Sequence, residues 1–265
     1  MRIGIVGAGG RMGQMLVREV AATPGATLAG GTERPGSTLL GRELGALAGI
    51  DPLGVKVVDD PAALFRAADV VIDFTSPAAT VSHAKLSVET GTALVVGTTG
   101  LSADDQAAIR GAAARVPVVQ AANFSLGVNL LAGLVRKVAA TLGDDWDIEI
   151  VEMHHRHKVD APSGTALALG HAAAAGRGVD LQAMKDTVRD GHTGARQPGR
   201  IGFATLRGGD VVGDHTVLFA AEGERLELTH KAASRAIFAR GAVRAALWTK
   251  GKAPGLYGMD DVLGL

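Results

Sequence analysis

The sequence predicts an α/β protein: a parallel sheet covered by helices on both faces, then an α+β domain with an open mixed sheet. Two observations carry this prediction. In the first half, short and solidly apolar runs alternate with helical segments, the pattern of strands buried on both sides. After about residue 125 the strands alternate apolar and polar residues instead, as half-exposed strands do. Composition sets the frame. The 265 residues are 47% hydrophobic but include only six Phe, two Trp and one Tyr, so the core is built from Ala, Val, Leu and Ile. Such a core excludes a disordered chain. The 37 glycines follow no three-residue period, which excludes a collagen-like chain.

Ile3–Val6 opens the first half as a strand, followed by a glycine-rich turn and a helix over Gly10–Ala22. The next strand spans Thr27 to Gly31. Further solid runs are Val70–Ile72, Ala93–Val96 and Val116–Val119, separated by helices over Pro77–Glu89 and Ser102–Arg115. Ser76-Pro77 reads as an N-cap followed by proline at the first helical position. Ser102 with Asp105 forms a capping-box pattern with Asp in place of Glu. In the second half, Asp147–Ile150 and Arg225–Thr229 alternate strictly. Ile201–Leu206 and Val211–Phe219 read as two more strands joined by a Gly208-Gly209 turn. Ala166–Ala175 is a helix, and the Ala-rich Ser234–Trp248 is an amphipathic helix that returns to the first domain. The expected divisions are 1–124, 125–233 and 234–265.

Charge and cysteine content narrow the function classes. Lys plus Arg equals Asp plus Glu at 27 each, and no region is strongly basic, so a nucleic-acid footprint is absent. With no cysteine, disulfides, thiol catalysis and thiolate metal sites are excluded. The charge-free stretch Val116–Val135 is interrupted by Pro117, Gln120, Asn123, Ser125 and Asn129, which argues against a membrane span. No signal-peptide pattern is present, and a cytoplasmic location is expected.

Gly7-Ala8-Gly9-Gly10-Arg11-Met12-Gly13 follows the first strand and opens a helix. A turn of this kind lets backbone approach a pyrophosphate, while the helix N-terminus supplies N–H donors and partial positive charge. Met12 stands where G-x-G-x-x-G would place its last glycine; the spacing is instead that of Gly7, Gly10 and Gly13. Glu33, 20 residues beyond Gly13, is placed to hydrogen-bond an adenosine ribose, whereas Arg34 suits a 2′-phosphate. The pair fits both NADH and NADPH. Asp73-Phe74-Thr75 and Gly97-Thr98-Thr99-Gly100 mark two more strand ends of the kind that face ligands in open α/β sheets.

The densest chemistry lies at Glu152-Met153-His154-His155-Arg156-His157-Lys158-Val159-Asp160-Ala161-Pro162-Ser163-Gly164-Thr165. A cationic loop leads there into a helix N-terminus, and both attract anions, carboxylates above all. A histidine in such a loop can donate a proton near neutral pH, and a lysine can bind or protonate an oxygen or nitrogen. Metal binding through His154, His155 and His157 is the rival reading, weakened by Arg156 and Lys158, which would repel a cation. A dinucleotide-binding redox sensor without turnover explains the glycine turn but leaves this loop without a purpose.

These motifs, with Ala121-Ala122-Asn123-Phe124-Ser125, Gly191-His192-Thr193-Gly194 and Gly202-Phe203-Ala204, occur in an order that resembles the dihydrodipicolinate (4-hydroxy-tetrahydrodipicolinate) reductase family across nearly the whole chain. The resemblance implies a Rossmann-like cofactor domain, a substrate domain and a homotetramer assembled through the second sheet. It also implies hydride transfer from NADH or NADPH to a cyclic imine dicarboxylate in lysine and diaminopimelate synthesis. On the matched positions, the resemblance makes His154 the acid/base and Lys158 a second proton donor. His155, Lys158, Ser163, Gly164 and Thr165 bind the substrate. Gly7, Ala8, Gly9, Gly10, Arg11, Met12, Glu33, Arg34, Gly97, Thr98, Thr99, Ala121, Ala122, Asn123 and Phe124 line the cofactor, and no metal is involved.

Overall fold

A computed structural model describes all residues, Met1–Leu265. The chain divides into two compact units, Met1–Leu126 with Ala236–Gly264, and Gly127–Arg235 with Leu265.

The first unit opens with β1 (Arg2–Val6), α1 (Arg11–Ala22), β2 (Thr27–Thr32), α2 (Leu44–Ala48), β3 (Val57–Val58) and α3 (Pro61–Ala67). It continues with β4 (Val70–Asp73), α4 (Pro77–Thr90), β5 (Ala93–Val96), α5 (Ala103–Ala113) and β6 (Pro117–Gln120). The second unit holds α6 (Leu126–Thr141, its first residue in the first unit), β7 (Asp147–His154), α7 (Gly164–Arg177), α8 (Leu181–Met184), β8 (Lys185–Asp186), β9 (Ile201–Arg207), β10 (Gly213–Ala221) and β11 (Glu224–Ala232). The chain then returns to the first unit as α9 (Ala236–Trp248), β12 (Gly255–Tyr257) and α10 (Met259–Leu263).

All seven strands of the first sheet run parallel, in the order β12-β6-β5-β4-β1-β2-β3. The sheet is buried on both sides, which is why its strands read as unbroken apolar runs. Ile3, Ile5 and Ile72 pack with Leu16, Val17, Val20 of α1 and Ala242, Val243 of α9. Val71, Leu94 and Val96 face Leu64, Phe65 of α3, Ala84 of α4 and Ile109 of α5 on the other side. Burying each large side chain contributes about 1.5–3 kcal/mol. The local signals act as expected at α5, where the Ser102–Asp105 capping box is complete. At α4 the Ser76 side chain makes no capping bond, although Pro77 starts the helix.

The second sheet is mixed, in the order β11-β10-β7-β9-β8. β7 is central, antiparallel to β10 and parallel to β9. This corrects the expected hairpin: β9 and β10 are not partners, because β7 lies between them. The Gly208-Gly209 segment has a different task. Gly208 N–H donates to His154 O at 3.0 Å and Arg156 N–H to Gly209 O at 3.3 Å, so the two glycines bind the end of β7. Gly209 has φ +53°, a conformation that favours glycine. The covered face of the sheet packs Ile148, Ile150, Val217 and Phe219 against Leu131 and Val135 of α6 and Leu169 and Ala173 of α7.

Candidate functional sites

In the first unit, every singled-out turn follows the carboxyl end of a parallel strand. Gly7–Gly10 follows β1, Glu33-Arg34 follows β2, Asp73–Thr75 ends β4, Gly97–Thr99 follows β5 and Ala121–Phe124 follows β6. Strand order reverses between β1 and β4, the position at which open α/β sheets bind ligands. The glycine turn is built for close approach. Gly7 has φ +67°, and a Cβ there would lie 2.9 Å from Thr75 Cγ2. A Cβ on Gly13 would run into Gly7 O and the Ala8 backbone, so α1 can sit this close to the turn only with glycine there. Gly10 caps α1 without any side-chain hydrogen bond, leaving the helix N-terminus to a ligand.

Glu33 is tied to the turn, since Gly9 N–H donates to Glu33 Oε1 at 2.9 Å. Arg34 beside it is exposed. Arg11, Thr99 and Ala122 are exposed, and Gly7, Met12, Gly97, Ala121 and Asn123 are partly exposed. Ala8 and Thr98 are buried, and the Phe124 ring packs in the core against Phe74, centroids 5.4 Å apart. Thr98 belongs to a network that sequence spacing did not reveal. Asp73 Oδ1 accepts from Thr75 N–H at 2.9 Å and Thr75 O–H at 2.6 Å, while Asp73 Oδ2 meets His83 Nδ1 at 2.8 Å. Thr98 Oγ1 in turn accepts from Thr75 N–H and Thr80 O–H. Burial works to raise the Asp73 pKa, but His83 and Thr75 outweigh it and hold the carboxyl below its ordinary value. The pair ties the end of β4 to α4, and Thr98 ties the turn after β5 to the same cluster. An uncapped helix N-terminus, a glycine-rich turn and an acid beyond β2 fit a nicotinamide dinucleotide.

In the second unit, the alternation of β7 turns Glu152 and His154 to the covered face, where they are 1% and 9% exposed. His154 Nδ1 lies 2.6 Å from Glu152 Oε2. Arg207 of β9 forks onto both carboxylate oxygens, at 2.8 and 3.0 Å. Ser163 N–H donates to Glu152 Oε1 at 3.0 Å. Burial pushes the Glu152 pKa up, yet Arg207, His154 and the Ser163 N–H together hold it below its ordinary value. The loop from β7 to α7 includes a cis Ala161–Pro162 peptide. Ser163 then caps α7, its Oγ accepting from Ala166 N–H at 3.1 Å, and exposed Gly164 begins the helix with half-buried Thr165 next. Lys158 Nζ pairs with Asp160 Oδ1 at 2.8 Å, and the Lys158 side chain remains 20% exposed. His155 is half-buried, and its Nδ1 is buried without a hydrogen-bond partner.

His154, Ser163 and Gly164 therefore come together at one end of β7, with Lys158 in the loop between them. Four residues of the cluster were absent from the expected site: Glu152, Arg207, His215 and Gly213. His215 of β10 stands edge-on to His154, ring centroids 5.1 Å apart, and its Nε2 lies 3.0 Å from Ser163 Oγ. A Cβ on Gly213 would sit 3.0 Å from His154 Nε2, so glycine keeps that nitrogen uncrowded. No group of three or more His, Asp or Glu side chains is placed to hold a metal ion. No helix is long and apolar enough to cross a membrane.

Comparison with known proteins places the whole chain in a family. A family model described as the N-terminus of dihydrodipicolinate reductase matches residues 1–124, and one for its C-terminus matches 127–263. The 4-hydroxy-tetrahydrodipicolinate reductase of Rhodopseudomonas palustris (strain BisB18) is 57% identical over 265 residues, covering 100% of this chain and 98% of that one. The protein of the same name from Brucella abortus (strain 2308) is 57% identical over 266 residues, covering 100% and 99%. A solved structure described as dipicolinate-bound dihydrodipicolinate reductase from Paenisporosarcina sp. TG-14 superposes with a TM-score of 0.75 at 25% identity, covering 98% of each chain. The chain thus belongs to the 4-hydroxy-tetrahydrodipicolinate reductase family, nicotinamide-dependent oxidoreductases of lysine and diaminopimelate biosynthesis.

Proposed function

We propose that the chain reduces 4-hydroxy-tetrahydrodipicolinate to tetrahydrodipicolinate with His154 as the proton donor. The observation that carries this reading is the shared carboxylate: Glu152 holds both His154 Nδ1 and the N-cap residue of α7. A dicarboxylate seated at that helix N-terminus thereby lies beside a histidine whose other nitrogen is unobstructed.

Bound nicotinamide supplies a hydride. The substrate's 4-hydroxyl leaves as water, and His154 Nε2 delivers the proton that balances the hydride to the substrate carbon or nitrogen that becomes electron-rich on reduction. Gly164 and Thr165 hold one carboxylate at the α7 terminus, with Ser163 setting the terminus in place. His155 and Lys158 bind the substrate, and Lys158, whose side chain stays partly exposed, acts as a second donor. Gly7–Met12 receive the pyrophosphate, Glu33 the ribose hydroxyls and Arg34 a 2′-phosphate, so both NADH and NADPH are accepted. Gly97–Thr99 and Ala121–Phe124 complete the cofactor wall. Residues 1–124 then serve as the cofactor domain, 125–233 as the substrate and assembly domain, and 234–265 as a return to the cofactor domain.

Assembly is proposed as a cytoplasmic homotetramer through the second sheet. Its face opposite α6 and α7 carries Val151, Met153, Leu218 and the half-exposed Leu206 with no helix over them. Turnover is tested by following nicotinamide absorbance with substrate generated from pyruvate and aspartate semialdehyde. Loss of absorbance with both cofactors is expected. Cofactor binding without oxidation would favour a dinucleotide sensor instead.

A further inference from the structure

Glu152 has more donors than its function as an ion-pair partner requires. Oε2 takes His154 Nδ1 and Arg207 Nη1, and Oε1 takes Arg207 Nη2, Ser163 N–H and, at 3.4 Å, Thr205 O–H. The residue is 1% exposed, so no water competes for these positions. Arg207 neutralises the buried charge and ties the same cluster to the loop through Asp160 O at 2.7 Å. Removing either partner of a buried pair leaves an uncompensated charge and is strongly destabilising.

The chemistry of the acceptor decides the histidine's tautomer. An ionised carboxylate accepts hydrogen bonds only, so the proton of neutral His154 must reside on Nδ1. Nε2 is left as the nitrogen that exchanges a proton, and it is the one that Gly213 leaves uncrowded. The same carboxylate grips Ser163, 11 residues further along the chain, which caps α7. We infer that Glu152 is the positioning residue of the site, holding His154 in its Nδ1–H tautomer and the α7 N-terminus in register with it. This rests on His154 being the proton donor, and Glu152 acts only through His154 and Ser163.

Glu152→Gln isolates the role. A carboxamide offers one acceptor oxygen where two are needed, so either His154 or the Ser163 and Arg207 side loses its partner. The full-length protein, labelled at histidine nitrogens, is examined by NMR in alkaline buffer, with His154 assigned by its loss in His154→Gln. Wild type is expected to show the Nδ1–H tautomer. Glu152→Gln is expected to lose that pattern and about 10²–10⁴-fold in kcat, with cofactor affinity unchanged, as wrong-tautomer variants of acid–base sites do. Glu152→Asp keeps the charge and is expected to retain the tautomer and more activity than Glu152→Gln. A packing role predicts the reverse order, because Gln is isosteric and Asp leaves a gap.

An Nε2–H tautomer in the wild type would overturn the inference by itself, whether or not Glu152→Gln folds. A wild-type tautomer and kcat in Glu152→Gln would do the same. Wild-type kcat in His154→Gln overturns the proton-donor reading instead, and leaves the tautomer result standing.

Discussion

Ser163 Oγ and His215 Nε2 lie 3.0 Å apart, both residues buried, joining the cap of α7 to the strand beside His154. Burial first, and the neighbouring His154 second, push the His215 pKa down to about 4 from 6.5, while Glu152 pulls the other way. Above pH 6.5 the ring is neutral in folded and unfolded chains alike. Between 6.5 and about 4 only the unfolded chain takes the proton. This contribution to stability is therefore present above pH 6.5 and lost as pH falls towards 4, on the order of 3 kcal/mol in all. His230, also lowered by burial, adds loss of the same sign. Denaturant unfolding at neutral and mildly acid pH is expected to show a flatter decline in His215→Gln, which retains a polar atom for Ser163. Equal slopes in variant and wild type would contradict this.

Gly213→Ala is expected to leave the fold and cofactor affinity intact and to lower kcat by about 10–100-fold. Its φ is not in the left-handed region, so the effect is steric, a methyl 3.0 Å from His154 Nε2. Misplacement of a reacting group by about 1 Å costs rates of this order. Steady-state kinetics with saturating cofactor provides the measurement, and wild-type kcat would show that Nε2 has room to spare.

Gly13→Ala acts on the other unit. Its methyl would collide with Gly7 O, so either the turn or α1 must move. A stability loss of about 1–3 kcal/mol, the usual cost of overpacking, is expected together with weaker cofactor binding. Calorimetric titration and thermal unfolding of one preparation read both. Unchanged affinity would separate the turn from the cofactor.

These sites were legible in the sequence to different depths. The Gly7–Gly13 turn and the His154–Thr165 loop are contiguous, and the strand-then-helix setting that gives them meaning is written in local periodicity. Partners brought in by sheet pairing are not. Arg207 is 55 residues from Glu152 and His215 is 52 from Ser163, and no spacing rule links them. The Gly208-Gly209 segment misled for a related reason. Two strands around a glycine pair look like a hairpin locally, whereas β7 takes the place between them, and the glycines bind its end beside His154. The short α2, α3, β3 and β12 carry too few residues for a period to show. Glu152 stood within the dense motif, but its role as acceptor appears only once β7, β9 and α7 meet.

Glu33 and Arg34 should divide the two cofactors between them. Glu33 is held by Gly9 N–H at 2.9 Å, facing the turn, while Arg34 is exposed. Glu33→Ala is expected to weaken NADH more than NADPH, and Arg34→Ala to weaken NADPH more than NADH. One lost charge-assisted hydrogen bond corresponds to about 10-fold or more in each case. Paired calorimetric titrations decide it, and parallel losses for both cofactors in either variant would contradict the assignment.

The most direct measurement is the turnover of His154→Ala with saturating cofactor and substrate, alongside its cofactor affinity. A fall in kcat of about 10²–10⁴-fold, the usual worth of a positioned acid, with wild-type cofactor binding is the predicted result. Wild-type turnover in that variant would contradict the account.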